Sequence, residues 1–136
     1  MANRSQALAL GFVFLWFFLG GIGHFAATNL EMRIVPPYIP WPRLAVLISG
    51  ACEWLGAAGL LYQPTRRAAA VVLFLLTIAV TPANIYMLQH SDRFHIPYWV
   101  LVMRLPLQAA LLALIAWIAL RNKPRGNWAY PAGRQN

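Results

Sequence analysis

Acidic residues are almost missing from this chain of 136 residues: only Glu31, Glu53 and Asp92 are present, against eleven Lys and Arg. Charged residues of both signs make up 10% of the sequence and apolar residues 60%. A water-soluble domain carries about 25% charge, so a soluble globular fold is excluded. Cysteine is nearly absent too. The single Cys52 rules out an internal disulfide and any multi-cysteine metal or redox motif, and it leaves the redox compartment open. There is no glycine-rich phosphate loop, nucleophile elbow or zinc motif, and no internal repeat. The net charge of +8 would suit nucleic acid, but the basic residues flank apolar runs instead of forming one patch. That is the pattern of the positive-inside rule. The expected partner is a lipid bilayer, with no nucleic acid.

What the chain does have is four apolar runs, at about 7–27, 44–62, 68–89 and 98–120. Each is near the ~20 residues needed to cross a hydrocarbon core as a helix. The expectation is an all-α, four-transmembrane-helix bundle forming one domain over 1–121, followed by a basic cytoplasmic tail over 122–136. Seven basic residues fall at the N-terminus, the turn between runs two and three, and the tail (Arg4, Arg66, Arg67, Arg121, Lys123, Arg125, Arg134). Three fall on the other side (Arg33, Arg43, Arg93). This asymmetry places both termini in the cytoplasm, with the helices running up and down, antiparallel. The proline-rich loop IVPPYIPWP, residues 34–42, is stiff and extended and is expected to roof the outer end of the bundle. Tyr38 and Trp41 suit the interface.

Polar residues inside the runs carry the functional signal. Glu53 lies in the middle of run two, where an acid costs roughly 2.5–3.5 kcal/mol unless it faces protein or water. Arg104 lies inside run four. At 1.5 Å per residue, Arg104 is about 9 Å and Glu53 about 14 Å from the outer end. His24 and Asn84 lie near the outer ends of runs one and three. All four therefore fall in the outer half, while the inner half is nearly all apolar. Helical spacing adds Gln108 to Arg104, Thr77 and Thr81 to Asn84, and Ser49 to Glu53. Glu53 is expected to pair with Arg104. Pro82 and Pro106 are expected to kink their helices close to this cluster. His90 and His95 read as solvated loop residues, and Cys52 as a packed thiol.

The segments His24-Phe25, VPPYIPWP, SGACEWLGAAGLL, TPANIYM and RLPLQ occur in order from about Gly20 to Gln108. Together they resemble the DoxX-like family of small bacterial integral membrane proteins. The resemblance implies a four-helix membrane fold. His24, Glu53, Pro82, Asn84, Arg104, Pro106 and Gln108 fall on the family's motifs. It also implies work as an accessory subunit in quinone-linked redox or stress-response systems, beside a soluble or membrane redox protein.

The expected site is a polar pocket for a small amphipathic ligand, such as a quinone, lined by His24, Glu53, Asn84, Arg104 and Gln108. No metal is expected, and no catalytic residue is assigned. Two alternatives stand beside this. In one the protein is a structural or assembly subunit whose buried Glu–Arg pair only fixes helix packing. In the other it is a small transporter, with a homo-oligomer supplying the polar path.

Overall fold

Each apolar run folds as a helix in a computed structural model that describes residues 3–122. The elements are α1 (Arg4–Ala26), α2 (Thr28–Glu31), a 3-10 turn (Met32–Ile34), α3 (Pro42–Leu61), α4 (Arg66–Ala79), α5 (Thr81–Gln89), a second 3-10 turn (Ser91–Arg93) and α6 (Tyr98–Arg121). Among these residues four helices, with α4 and α5 counted as one span, are long and apolar enough to cross a membrane. The tail from residue 123 lies outside the described residues. Three helices begin two or three residues before the apolar runs. Their first turns hold Arg4, Pro42 and Arg66, because N-terminal N–H groups need no helical partner and proline lacks one.

The long helices touch in a ring: α1 on α3, α3 on α4, α4 on α6, and α6 on α1. Ala9, Val13 and Phe17 of α1, Ala57 and Leu60 of α3, Ala70 and Leu73 of α4, and Ile115 and Ile118 of α6 form one dry core. It occupies the first half of α1 and α4 and the last half of α3 and α6. The outer surface is apolar as well: Leu8, Leu15, Leu55 and Leu75 are each more than half exposed. In lipid the contrast between such a surface and the core vanishes, so dense packing and polar contacts hold the helices together. Gly50 serves that packing. A side-chain carbon there would come 2.7 Å from Cβ of His24, so glycine is what lets α3 approach α1.

The two prolines inside the spans behave differently. Val80 separates α4 from α5, and Pro82 stands in the first turn of α5. Pro82 cannot donate to Ile78, and the span breaks there. Pro106 lies inside α6, which continues unbroken from Tyr98 to Arg121.

The chain between α1 and α3 is more ordered than a proline loop suggests. Thr28 donates from Oγ1 to the His24 carbonyl at 2.6 Å, and α2 and the first 3-10 turn follow at once. Pro36 is fully buried, whereas Tyr38 and Trp41 are about 70% exposed. Trp41 has φ of 54° and sits between Pro40 and Pro42. That left-handed conformation costs a side-chain-bearing residue about 1–2 kcal/mol. It turns the roof segment sharply into α3.

Candidate functional site

A cavity of about 600 Å³ opens at the end of the bundle away from the dry core. Phe17 and Leu111 belong both to the core and to the cavity lining, so they form its floor. Ile34, Val35, Pro36 and Ile39 close it from the roof segment. Trp16, Leu76 and Leu107 contribute apolar wall. All five residues singled out from the sequence, His24, Glu53, Asn84, Arg104 and Gln108, line this one cavity, and Glu31, Ser49 and Thr77 line it with them.

His24 is set between two carboxylates. Its Nδ1 lies 2.8 Å from Oε2 of Glu31, and its Nε2 lies 3.5 Å from Oε1 of Glu53. These side chains are largely buried, with 15% of His24, 27% of Glu31 and 12% of Glu53 exposed. The Glu31 contact is short but out of line with the ring N–H. Nδ1 therefore has no aligned hydrogen-bond partner among the described residues, and Oε2 of Glu53 has none either. Gly20 makes space for the Glu53 carboxylate, since a side-chain carbon there would lie 2.6 Å from Oε2.

The opposite wall is built around Gln108. Its Nε2 donates to the Thr77 carbonyl at 2.9 Å and to Oγ1 of Thr81 at 2.6 Å. Its Oε1 accepts from Nδ2 of Asn84 at 2.6 Å. Thr77 donates from Oγ1 to the Leu73 carbonyl at 2.7 Å. This network spans the break at Val80 and gives the interrupted backbone a side-chain partner, as an irregular helix in lipid requires. Gln108 thereby ties α6 to both α4 and α5.

The expected Glu53–Arg104 ion pair is not formed. Among the described residues the ion pairs are those of His24 with Glu31 and with Glu53. The reason lies in the ring of helices. α3 and α6 stand diagonally, each packed on α1 and α4, and the cavity separates them. Arg104 instead approaches Sδ of Met87 on α5 at 3.1 Å through Nη1, and it is exposed. Sulfur is a weak acceptor, so most of the guanidinium donors remain available at the cavity.

Glu31 was missed by sequence reasoning as a member of the site. It sits among loop-like residues beside Arg33, where an acid is unremarkable. The available signal was spacing: His24, Thr28 and Glu31 follow the i, i+4, i+7 pattern of one helical face. Of the remaining histidines, His90 contacts the Tyr86 carbonyl through Nδ1 at 2.9 Å, and His95 is exposed. Neither lines the cavity. Cys52 is a free, half-buried thiol.

Fold and site define a helical bundle with membrane-length spans and a cavity in which polar side chains meet apolar walls. Residues 13–120 match a domain of unknown function, DUF8561, and the chain belongs to that family. The matched span takes in every residue that lines the cavity. No curated protein and no solved structure matches the chain.

Proposed function

We propose that the protein is a multi-pass protein of the bacterial inner membrane that binds a small amphipathic molecule, with quinones as the first candidate class. In this reading it is related to the DoxX-like proteins and serves as an accessory to a redox or stress-response partner. The spans alternate in direction, and both termini are cytoplasmic. Contacts that step in opposite senses support the alternation: Gly56 faces Leu73 while Gly59 faces Ala69, and Gly20 faces Glu53 while His24 faces Gly50. The basic residues at Arg4, Arg66, Arg67 and Arg121 support the orientation.

The observation that carries the ligand reading is the convergence of polar side chains from α1, α2, α3, α5 and α6 on a cavity with apolar walls. Its size, about 600 Å³, falls inside the roughly 300–1,000 Å³ of small-molecule sites. Arg104 and the second amide proton of Asn84 are donors for a ligand oxygen. Trp16, Leu76 and Leu107 suit its apolar body. The packed floor at Phe17 and Leu111 favours binding over passage through a single copy.

Trp16 on the cavity wall provides the test. A short-chain quinone titrated into the protein in lipid nanodiscs should quench tryptophan fluorescence saturably, and Trp16→Phe should reduce the amplitude. The double variant Glu53→Gln/Arg104→Gln should bind about tenfold more weakly or worse, since a hydrogen bond to a charged group is worth roughly 1.5–3 kcal/mol. Quenching that never saturates in the wild type, or is unchanged in the double variant, would contradict the reading.

A further inference from the structure

The arrangement of Glu31, His24 and Glu53 has a direction. Glu31 ends α2, where the chain enters the roof segment, and Glu53 lies midway along α3; exposure falls from 27% at Glu31 to 15% at His24 and 12% at Glu53, so the three run from the roof edge into the cavity. A neutral imidazole carries a proton on one ring nitrogen and a lone pair on the other. It can accept on one side and donate on the other, and here each nitrogen faces a carboxylate.

We infer that these three residues form a proton path between the cavity and the water that reaches Glu31. In the outward direction Glu53 begins protonated and His24 neutral, with its proton on Nδ1. The Glu53 carboxyl gives its proton to Nε2, Nδ1 gives its own to Oε2 of Glu31, and Glu31 releases it to water. Glu53 is then a carboxylate, His24 is again neutral with its proton on Nε2, and Glu31 is again a carboxylate. One proton has left and no electrons have moved. A flip of the ring resets the carrier, and the reverse sequence brings a proton in.

Both steps need small rotations, and the site leaves room for them. The 3.5 Å gap between Nε2 and Oε1 closes when the Glu53 carboxylate turns. Oε2 lies against Gly20, where any side-chain carbon would obstruct that turn. The 2.8 Å contact at Nδ1 aligns when the ring turns about its bond to Cβ. Neither Nδ1 nor Oε2 of Glu53 has an aligned hydrogen bond among the described residues to hold it in place. Among the described residues the other charged side chain on the cavity is Arg104 of α6, on the opposite wall. The path requires the cavity but no particular occupant, so it stands or falls separately from the quinone reading.

Infrared spectroscopy of the full chain in nanodiscs tests this. The carboxyl band of protonated Glu53 is identified by its loss in Glu53→Gln, and its exchange is followed after transfer to heavy water. His24→Gln and Glu31→Gln should each slow that exchange about a hundredfold, the lower end of what a positioned proton carrier contributes. Exchange at the wild-type rate in either variant would show that cavity water serves instead and would overturn the path. So would the lack of any protonated Glu53 band across the pH range in which the protein stays folded. A measurement on the wild type alone guards against variants that fail to fold. With only three histidines in the chain, nitrogen NMR of labelled His24, taken to a pH at which the ring is neutral, should show two interconverting tautomers, and a single fixed tautomer would contradict the path.

Discussion

His24 and Glu53 join α1 to α3 across the cavity wall, with Nε2 and Oε1 3.5 Å apart, and this contact replaces the Glu53–Arg104 pair that residue depths suggested. The exchange has a direct consequence for mutants. His24→Ala removes the neighbour of a largely buried carboxylate and should destabilise the bundle by about 1–3 kcal/mol, read as a lower midpoint of detergent-induced unfolding. The swap Glu53→Arg with Arg104→Glu should not recover wild-type stability, because it places a cation beside His24. Full recovery would restore the pairing that the structure lacks.

Gln108 holds α4, α5 and α6 together through three side-chain contacts. Gln108→Leu leaves the Asn84 amide and the Thr77 carbonyl short of partners at a break in the backbone. A loss of about 1–3 kcal/mol is expected, with faster amide exchange confined to the residues around Val80. Exchange that rises uniformly across the bundle would argue that Gln108 does not act at the break.

Gly50→Ala tests the close approach of α1 and α3. The added carbon meets Cβ of His24 at 2.7 Å, backbone-proximal atoms that cannot swing away. Overpacking of this kind costs about 1–3 kcal/mol, and the separation of the two helices should also weaken short-chain quinone binding. Unchanged stability would mean that the helices part without penalty.

Topology is checked by labelling single cysteines from either side of the membrane in a Cys52→Ala background. A cysteine at Thr65, between the Leu61 and Arg66 helix ends, should react only from the cytoplasm. One at the exposed Tyr38 should react only from outside. The reverse pattern would invert the orientation proposed from the basic residues.

Much of the cavity was legible in the sequence because a polar residue inside an apolar run is conspicuous and its neighbours on a helical face can be counted. His24, Glu53, Asn84, Arg104 and Gln108 all stood out this way, and all line the cavity. Their partners did not. Position along a helix gives depth but not which helices are adjacent, so the diagonal placement of α3 and α6 was hidden, and with it the true neighbour of Glu53. Glu31 was masked by a segment that reads as loop, although α2 continues almost directly from α1. Pro82 and Pro106 look alike in the sequence. Only Pro82 breaks its span, where threonines and Gln108 are at hand to satisfy the exposed backbone.

Occupancy of the cavity by a small amphipathic molecule underlies the proposed function. Its most direct test is mass spectrometry of the organic extract from gently purified protein, wild type beside a folded Glu53→Gln/Arg104→Gln variant. A quinone or another small amphipathic lipid should be retained by the wild type and lost from the variant. Identical profiles from the two proteins, with no such molecule in either, would contradict it and leave the polar cluster as a device for holding the helices in place.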